Sequence, residues 1–255
     1  MSSSAAMHLP PGSRTDRDEY IVEPAFFDVP SHVRFWLIAT GAVFLDLWSK
    51  DRAFRTLKPN EIHPFWPGII DLHRSLNDGA VFGSFTGYTA VFVAASVVAL
   101  VFVVYLFAHS ARTQWSLHVA LALILAGAMG NLYDRAVVKA DVVTYTTPDG
   151  RSESRIGTVL GDPNGPMISL VEWPDRANEQ IFVRSNVSLR RQGVVRDFIK
   201  FVPRFPLWVP RLGGRDVWPW VFNVADSALV SGVVVLILHT WLDRKFHGRR
   251  ESAGT

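Results

Sequence analysis

Apolar runs long enough to cross a lipid bilayer constrain this chain more than any other feature. Residues 88–108 contain no charged side chain, and residues 113–133 contain none when His118 is counted as neutral. As a helix, each run spans about 30 Å, the thickness of a bilayer core. Residues 217–242 form a third run, and residues 35–54 form a weaker one that charges interrupt. The sequence therefore predicts four transmembrane helices, at about residues 34–54, 88–108, 113–134 and 222–242.

The composition fits a membrane protein. Of the 255 residues, 49% are hydrophobic and 19% charged, whereas a soluble domain usually carries about 25% charged residues. The net charge of +3 is too small to indicate a nucleic-acid partner. Because the chain has no Cys, disulfides, thiol catalysis and Cys-ligated metals are excluded. The histidines lack zinc-ligand spacing such as HExxH, so no metal and no cofactor is predicted.

Basic residues predict the orientation of the helices. An even number of spans puts both termini on one side of the membrane. Short segments rich in Lys and Arg stay in the cytoplasm, and such residues occur after the fourth run (Arg244, Lys245, Arg249, Arg250) and after the second (Arg112). Residues 135–215 are also rich in Arg, but long loops translocate largely regardless of charge. Both termini are therefore predicted to be cytoplasmic.

This orientation divides the chain into a membrane domain and two tails. Residues 31–245 are predicted to form the membrane domain, and residues 246–255 a cytoplasmic tail. Residues 1–30 are predicted to form a second cytoplasmic tail that is disordered, because their first part is polar and lacks apolar periodicity.

Two segments face outward under this orientation. Residues 55–87 contain several Pro and Gly, which favour loop and short strand over helix. Residues 136–217 are too long for a simple connection, and their first part, residues 136–193, is predicted to be a β-rich insertion. It has turn signals at Asp149-Gly150 and at residues 162–166. The β-branched runs between the turns are residues 142–147, 155–160, 167–171 and 181–184.

Polar residues cluster at the outward ends of the predicted helices. Asp46 and Lys50 are four residues apart on one helix face, where they either form an ion pair or contact a substrate. Asn77 and Gly79 lie in a segment that also reads as an ordinary turn. Asp197 lies in residues 193–199, where apolar residues stand on both sides of the Arg196-Asp197 pair. This indicates a position against the membrane, although an isolated Asp of this kind also serves as a helix cap or surface charge.

The third and fourth helices add further polar groups. Gly127 and Asn131 share a face, which suits close helix packing with a hydrogen bond across the gap, and Arg135 follows one turn later. Asn223 and Asp226 share a face at the start of the fourth helix. An ionisable residue within an apolar span is by default a candidate for function.

Four motifs occur in a fixed order along these segments: NxGxxFG at residues 77–83, GxxGNxxDR at 127–135, VxDF at 195–198 and FNxAD at 222–226. In this order over four spans, they resemble the lipoprotein signal peptidase (signal peptidase II) family. The resemblance covers most of the chain but leaves out the two tails and much of the insertion. In the family, the connection between the DR motif and the following VxDF motif is usually short, whereas here the insertion separates Arg135 from Asp197. The insertion either gates entry, binds a partner or decorates the outer face.

The resemblance implies an aspartic endopeptidase of the bacterial inner membrane, with its site toward the outer face. Such enzymes remove the signal peptide of a prolipoprotein just before a Cys that carries diacylglycerol. Asp197 and Asp226 match the catalytic pair. Other family positions that line or shape the site are matched by Asp46, Lys50, Asn77, Gly79, Gly127, Asn131, Arg135, Asn223 and Ala225.

The resemblance further implies a membrane all-α fold: a four-helix bundle with a small extracytoplasmic β-cradle and a short interfacial helix. In this chain, residues 208–220 are predicted to supply interfacial anchoring through Pro and Trp. The expected partners are the diacylglyceryl-modified prolipoprotein and membrane lipid, without nucleic acid, and the chain is expected to be monomeric. Sensitivity to globomycin-like cyclic peptides is also implied.

Two close carboxylates suit peptide hydrolysis because they share one proton. The ionised Asp takes a proton from water, and the protonated Asp donates to the carbonyl oxygen. The sequence leaves open which Asp holds the proton.

Three other hypotheses compete. Tyr133-Asp134 is similar to the YD motif of presenilin-type proteases, but their GxGD motif is absent. We expect Asp134 instead to cap its helix or to pair with Arg135, and Asp134→Asn to preserve cleavage that Asp197→Asn abolishes. A small transporter also places acids within helices, but four spans without an inverted repeat leave little room for alternating access. The third hypothesis is a catalytically inactive scaffold.

Overall fold

Four long helices and two antiparallel sheets make up the protein. The computed structural model describes residues 23–58, 61–79, 89–174 and 177–253. The helices are α1 (Val29–Thr56), α2 (Thr89–His109), α3 (Trp115–Val137) and α4 (Val224–Ala253). Because nine strands also lie among the described residues, all-α is too narrow a description of the chain.

The ends of α1 and α4 differ from the sequence-based expectation. The predicted start near residue 34 is too late, since Asp28 caps α1 by accepting a hydrogen bond from Ser31 N (2.9 Å). A short 3-10 turn at Ala25–Phe27 precedes it, within the predicted tail 1–30. At the other terminus, α4 continues through most of the predicted tail 246–255. Residues 1–22, 80–88 and 254–255 lie outside the described residues, as do the predicted start of α2 and part of the NxGxxFG motif.

Helix α3 is the centre of the bundle and packs against α1, α2 and α4. At the end remote from the sheets, Phe35 and Phe107 stack with their ring centroids 4.0 Å apart. Leu121 and Leu125 of α3 complete this buried cluster. Small residues of α3, including Ala122 and Ala126, are fully buried and allow close helix contacts.

The outer surfaces of the helices are strongly apolar. Two described helical segments are long and apolar enough to span a membrane by length and composition, namely Trp115–Val137 and Val224–Lys245, and a shorter apolar segment covers Ala94–His109. Helix α1 carries charges in its second half. Large apolar side chains project from α2 and α4 into the surroundings, among them Val98, Phe102, Ile237 and Trp241. An apolar surface of this extent indicates contact with a membrane or a partner.

The first sheet, which we call the cradle sheet, has the strand order β1-β2-β8-β9. Its strands are β1 (His63–Trp66), β2 (Ile70–Asn77), β8 (Val195–Phe201) and β9 (Val221–Phe222). The register of β2 and β8 pairs Ser75 with Asp197 and Asn77 with Val195. This long-range pairing brings the NxGxxFG and VxDF motifs side by side.

The second sheet, which we call the insertion sheet, has the order β6-β5-β4-β3-β7. Its strands are β3 (Lys139–Thr146), β4 (Ser152–Leu160), β5 (Met167–Glu172), β6 (Ala177–Val183) and β7 (Val187–Gly193). Four of these overlap the β-branched runs of the sequence, whereas β7 has no counterpart there. Val143, Ile168 and Leu170 are buried at its centre.

Both sheets lie at the same end of the bundle. Phe54 near the end of α1 packs with Phe198 of the cradle sheet, and β3 follows directly after α3. Trp173 and Leu76 pack against the clusters beneath both sheets. Residues 202–220, which link β8 to β9, form turns and bends. They expose Trp208, Trp218 and Trp220, within the segment predicted to supply interfacial anchoring.

Candidate active site

Asp197 and Asp226 approach each other from different elements at the sheet end of the bundle. Asp197 lies on β8 and is 2% exposed. Asp226 lies in the first turn of α4. Asn223 joins the two, since its side-chain amide donates to Asp197 Oδ1 (2.6 Å) and its backbone N–H donates to Asp226 Oδ2 (3.0 Å). The two carboxylates predicted from separate motifs thus share one buried amide residue.

The start of α4 fixes the orientation of Asp226. Asn223 precedes the helix, and its Oδ1 accepts a hydrogen bond from Asp226 N (3.0 Å), while Asp226 accepts one in return. This reciprocal pair is a capping box, which satisfies two backbone donors that the helix itself leaves free. The backbone and side chain of Asn223 in the FNxAD motif therefore both cap the start of α4 and hold the carboxylate of Asp226 in place.

Asn131 of α3 connects the pair Asp197 and Asp226, which we call the dyad, to the interior of the helix bundle. Its Nδ2 donates to Asp226 Oδ1 (2.8 Å), and its Oδ1 accepts from Asn223 Nδ2 (3.1 Å) and from Lys50 Nζ (3.2 Å). Each polar atom of this side chain amide is thereby engaged. The amide orientation follows from these partners, because only the nitrogen can donate to the Asp226 carboxylate.

Asn77 reaches Asp197 from β2. Its Nδ2 donates to Asp197 Oδ2 (3.1 Å), and its Oδ1 accepts from Gly79 N (2.9 Å). Gly79 has φ +88°, a conformation that favours glycine and turns the chain away from the strand. The turn interpretation and the site interpretation of this motif are therefore compatible.

Asp46 and Lys50 form a buried ion pair rather than an exposed group. Lys50 Nζ lies 2.8 Å from Asp46 Oδ2 and 3.4 Å from Asp134 Oδ2, and all three side chains are at most 1% exposed. Asp46 Oδ1 also accepts from Ala225 N (2.8 Å). These charges sit behind the dyad and hold the start of α4 against α1 and α3.

Gly127 allows α3 and α4 to approach closely beneath the site. A Cβ atom built on Gly127 lies 2.4 Å from the carbonyl oxygen of Ala225 and 2.7 Å from Leu229 Cβ. No side chain fits in this space without moving α4. The glycine therefore positions the helix that carries Asp226.

Arg135 faces the dyad from the end of α3. It lies within electrostatic range of Asp197, Asp226 and Asp78. Together with Asp197 and Trp220, it lines a cavity of about 550 Å³ that opens beside the cradle sheet. A cavity of this size accommodates a short peptide segment.

The environment of Asp197 favours its protonated form. Burial, together with the nearby charge of Asp226, raises the pKa of Asp197 to about 7. The hydrogen bonds from Asn77 and Asn223 oppose this rise because they stabilise the ionised carboxylate. Asp226 lies in the first turn of α4, at the positive end of the helix dipole.

Asp134 and Arg196 are site neighbours whose contacts the sequence did not predict. Asp134 is fully buried and forms ion pairs with Lys50 and Arg196. The sequence signal was available, since Arg196 stands beside Asp197 and Asp134 lies inside the GxxGNxxDR motif. The sequence did not predict that β8 packs against the end of α3, because no local pattern contains a contact between such distant segments.

Comparison with known proteins gives consistent matches over most of the chain. The family model described as signal peptidase (SPase) II matches residues 38–242. The lipoprotein signal peptidase of Rhodopirellula baltica is 30% identical over 223 residues, which cover 85% of this chain and 75% of that protein. The lipoprotein signal peptidase of Enterococcus faecalis is 32% identical over 213 residues, covering 84% and 91% respectively.

Solved structures support the same overall fold. A bacterial membrane enzyme determined by the in meso method superposes with a TM-score of 0.53 and 21% sequence identity. The superposition covers 87% of this chain and 93% of that enzyme. At this level of identity the likeness concerns the fold alone.

Proposed function

The chain belongs to the signal peptidase II family, and we propose that it is an aspartic endopeptidase that removes signal peptides from prolipoproteins just before the diacylglyceryl-modified Cys. The observation that carries this proposal is the link between Asp197 and Asp226, in which Asn223 hydrogen bonds to both carboxylates. Two acids held this way support hydrolysis by water without a covalent intermediate.

In the proposed reaction Asp226 is the general base. It takes this role as a carboxylate at the start of α4, where it accepts hydrogen bonds from Asn131 Nδ2 (2.8 Å) and Asn223 N (3.0 Å). Water bound between the two acids gives a proton to Asp226 as its oxygen attacks the scissile carbonyl carbon. The base is thus in place before the substrate arrives.

Asp197 is the general acid in this scheme. It donates its proton to the carbonyl oxygen as the tetrahedral intermediate forms. When the intermediate collapses, one hydroxyl returns a proton to Asp197, the C–N bond breaks, and protonated Asp226 passes its proton to the leaving amine. Both acids are restored to their starting forms, so no external proton source is consumed in the cycle.

Arg135, Asn77 and the ion pair behind the site have supporting roles. Arg135 and Asn77 line the same cavity as Asp197, where they are placed to contact the peptide backbone or the developing oxyanion. Lys50 with Asp46 and Asp134 keeps α1, α3 and α4 in register. Lys50 can hold the helices together in this way while its side chain is fully buried.

We place the enzyme in the inner membrane of a bacterium as a four-span monomer, with both termini in the cytoplasm and both sheets outside. The apolar surfaces of α2 and α4 support membrane embedding. The exposed Trp208, Trp218 and Trp220 lie at the sheet end, where Trp side chains favour the lipid headgroups. The lipid-anchored scissile bond and water then meet at the depth of the dyad.

Reconstitution with a defined substrate tests the function. The purified protein in lipid is mixed with a diacylglyceryl-modified prolipoprotein and with the same prolipoprotein lacking the lipid. Cleavage just before the modified Cys is expected for the first substrate alone, read by mass spectrometry. Asp197→Asn and Asp226→Asn are each expected to lower turnover by at least about 10³-fold.

Asp51→Asn is the matched control, because Asp51 is exposed and pairs with Arg55 on the surface of α1. It is expected to cleave at the wild-type rate. A folded wild-type protein that cuts neither substrate would exclude the peptidase. Loss of turnover in only one of the two dyad variants would overturn the assignment of Asp197 and Asp226 as a catalytic pair, while the peptidase function would stand.

A further inference from the structure

A second cavity adjoins the active-site cavity on the outer side of the bundle. It has a volume of about 290 Å³ and lies between the cradle sheet and the insertion sheet. Four residues line both cavities: Ser75, Leu76, Ser154 and Ile156. A continuous cleft therefore leads from Asp197 toward the insertion sheet.

Two strand edges are open along this cleft. Among the described residues, β1 pairs with β2 no further than Leu72, so Ser75–Asn77 are paired on the β8 side alone. Likewise β4 pairs with β3 through Ser152–Gly157, whereas β5 joins its other edge at Thr158–Leu160. Open edges of this kind offer backbone N–H and C=O groups to an incoming extended chain.

The arrangement of β4 shows that its edge faces the cavity. Ser154, Arg155 and Ile156 line it consecutively. Side chains alternate between the two faces of a strand, so three neighbours in a row meet one cavity only where the backbone edge itself borders it. The first half of β4 is therefore a template for strand addition.

Polar side chains surround the open edges. Arg74 lies at the bottom, where its side chain is 3% exposed, donates to Phe54 O (3.3 Å) and stands 4.0 Å from Glu172. Arg155 and Gln180 are exposed at the rim. The cavity thus offers both hydrogen-bond donors and hydrogen-bond acceptors beside Trp173. Such a lining suits a polar peptide better than an acyl chain.

We propose that this cleft binds the polar, extended segment of the prolipoprotein that follows the diacylglyceryl-modified Cys. The inference rests on the peptidase function proposed above. The signal peptide and the acyl chains of such a substrate are apolar and stay in the bilayer, so only the mature part reaches a cleft between two extramembrane sheets. An extended chain advances about 3.3 Å per residue, so a few residues beyond the scissile bond enter it.

The insertion sheet is therefore a specificity element rather than a decoration. It supplies the β4 edge and the side chains of Arg155 and Gln180 to residues on the leaving side of the scissile bond. Since the dyad lies on β8 and α4, the chemistry itself needs none of these groups. Substrates with a longer mature segment are then cleaved more efficiently than truncated ones.

Two substrates with the same signal peptide and the same lipidated Cys test the proposal. The long substrate continues for about eight residues after the Cys, and the short one ends there as an amide. For the wild-type protein in lipid, kcat/KM is expected to be about tenfold higher for the long substrate, the equivalent of one or two net hydrogen bonds. In the double variant Arg155→Ala, Gln180→Ala this ratio is expected to fall to about three, because the side-chain contacts are lost while the backbone edge of β4 remains.

Arg190→Ala is the matched control, because Arg190 is exposed on β7 of the same sheet and lies away from the cleft. It should keep the tenfold ratio. Equal kcat/KM for both substrates in the wild-type protein would overturn the cleft while leaving the peptidase intact, and so would a ratio that the double variant preserves. Failure to cleave either substrate would remove the peptidase function, and the cleft inference with it.

Discussion

Asp134 accepts three hydrogen bonds from Arg196, the residue that precedes Asp197 on β8. The backbone N–H of Arg196 donates to Oδ2 (2.9 Å), and its guanidinium donates to Oδ1 through Nε (3.2 Å) and Nη2 (2.7 Å). This contact ties the cradle sheet to the end of α3. Asp134 is thus a residue that positions Asp197 through its neighbour, and it also balances the buried charge of Lys50.

The first prediction concerns Asp134→Asn. Removing one partner of a buried ion pair is costly, and we expect the free energy of unfolding to fall by about 3 kcal/mol. Turnover of the folded fraction should remain measurable, because the dyad is intact. Asp197→Asn should do the reverse, abolishing turnover without lowering the unfolding temperature, since it removes a buried carboxyl from beside another. Thermal unfolding in detergent and cleavage assays measure the two effects.

If the charges at the end of α3 serve to stabilise the fold, Asp134→Asn should lower the stability and leave cleavage measurable. Equal thermal stability of Asp134→Asn and the wild-type protein would contradict it. Complete loss of cleavage in well-folded Asp134→Asn would give Asp134 a direct part in the reaction and revive it as a competitor of Asp197.

Local patterns in the sequence predict part of this site. Helical periodicity places Asp46 and Lys50 on one face, and the structure pairs them at 2.8 Å. The Asn-x-x-Asp spacing of Asn223 and Asp226 before an apolar run is also a helix-start signal, and it forms the capping box. Such features depend on residues within one turn of each other, so the sequence contains them directly.

Long-range pairing accounts for what the sequence did not predict. Asp197 lies on β8, whose partner β2 is more than a hundred residues earlier in the chain. Strand β7 lacks a clear alternating pattern because Arg190 and Arg191 are neighbours in it. The contact of Arg196 with Asp134 likewise joins two elements that no short window contains. Register between distant strands depends on the whole packed structure.

The second prediction concerns the pH dependence of cleavage. The proposed reaction needs Asp197 protonated, and its pKa is raised to about 7. As the pH rises through 7, the protonated fraction falls, so kcat/KM should decrease, approaching about tenfold per pH unit at high pH. A profile measured between pH 5 and 9 with the lipidated substrate checks this. Activity that increases over that range would assign the base role to Asp197.

The third prediction uses Asn77→Ala to move that profile. The hydrogen bond from Asn77 to Asp197 Oδ2 lowers the pKa of Asp197, so its removal raises the pKa further. The alkaline fall of kcat/KM should therefore shift to higher pH, whatever the loss in absolute rate. Asn186→Ala, an exposed change in the turn between β6 and β7, serves as the control and should leave the profile in place. A shift toward lower pH would contradict the assigned proton.

The fourth prediction compares two glycine substitutions in helices. Gly127→Ala places a methyl group 2.4 Å from Ala225 O and should force α4 away from α3, with a cost of about 1–3 kcal/mol. Because α4 carries Asp226, turnover should fall as well. Gly41→Ala on α1 meets nothing within 4 Å and should be neutral or slightly stabilising. Thermal unfolding and cleavage are measured for both variants. Gly41→Ala reports the effect of helix propensity alone, and Gly127→Ala adds the effect of the close helix contact.

The last prediction concerns orientation in the membrane, and the absence of Cys from the chain makes it directly testable. Asn164→Cys places a thiol at an exposed turn of the insertion sheet, and Ser252→Cys places one near the C-terminus. In cells with a permeabilised outer envelope but an intact inner membrane, a membrane-impermeant maleimide should label the first variant and not the second. Lysis should expose both thiols to the reagent, which controls for reactivity. Labelling of Ser252→Cys in intact cells would put the C-terminus outside, and the short basic segments would then be poor guides to topology.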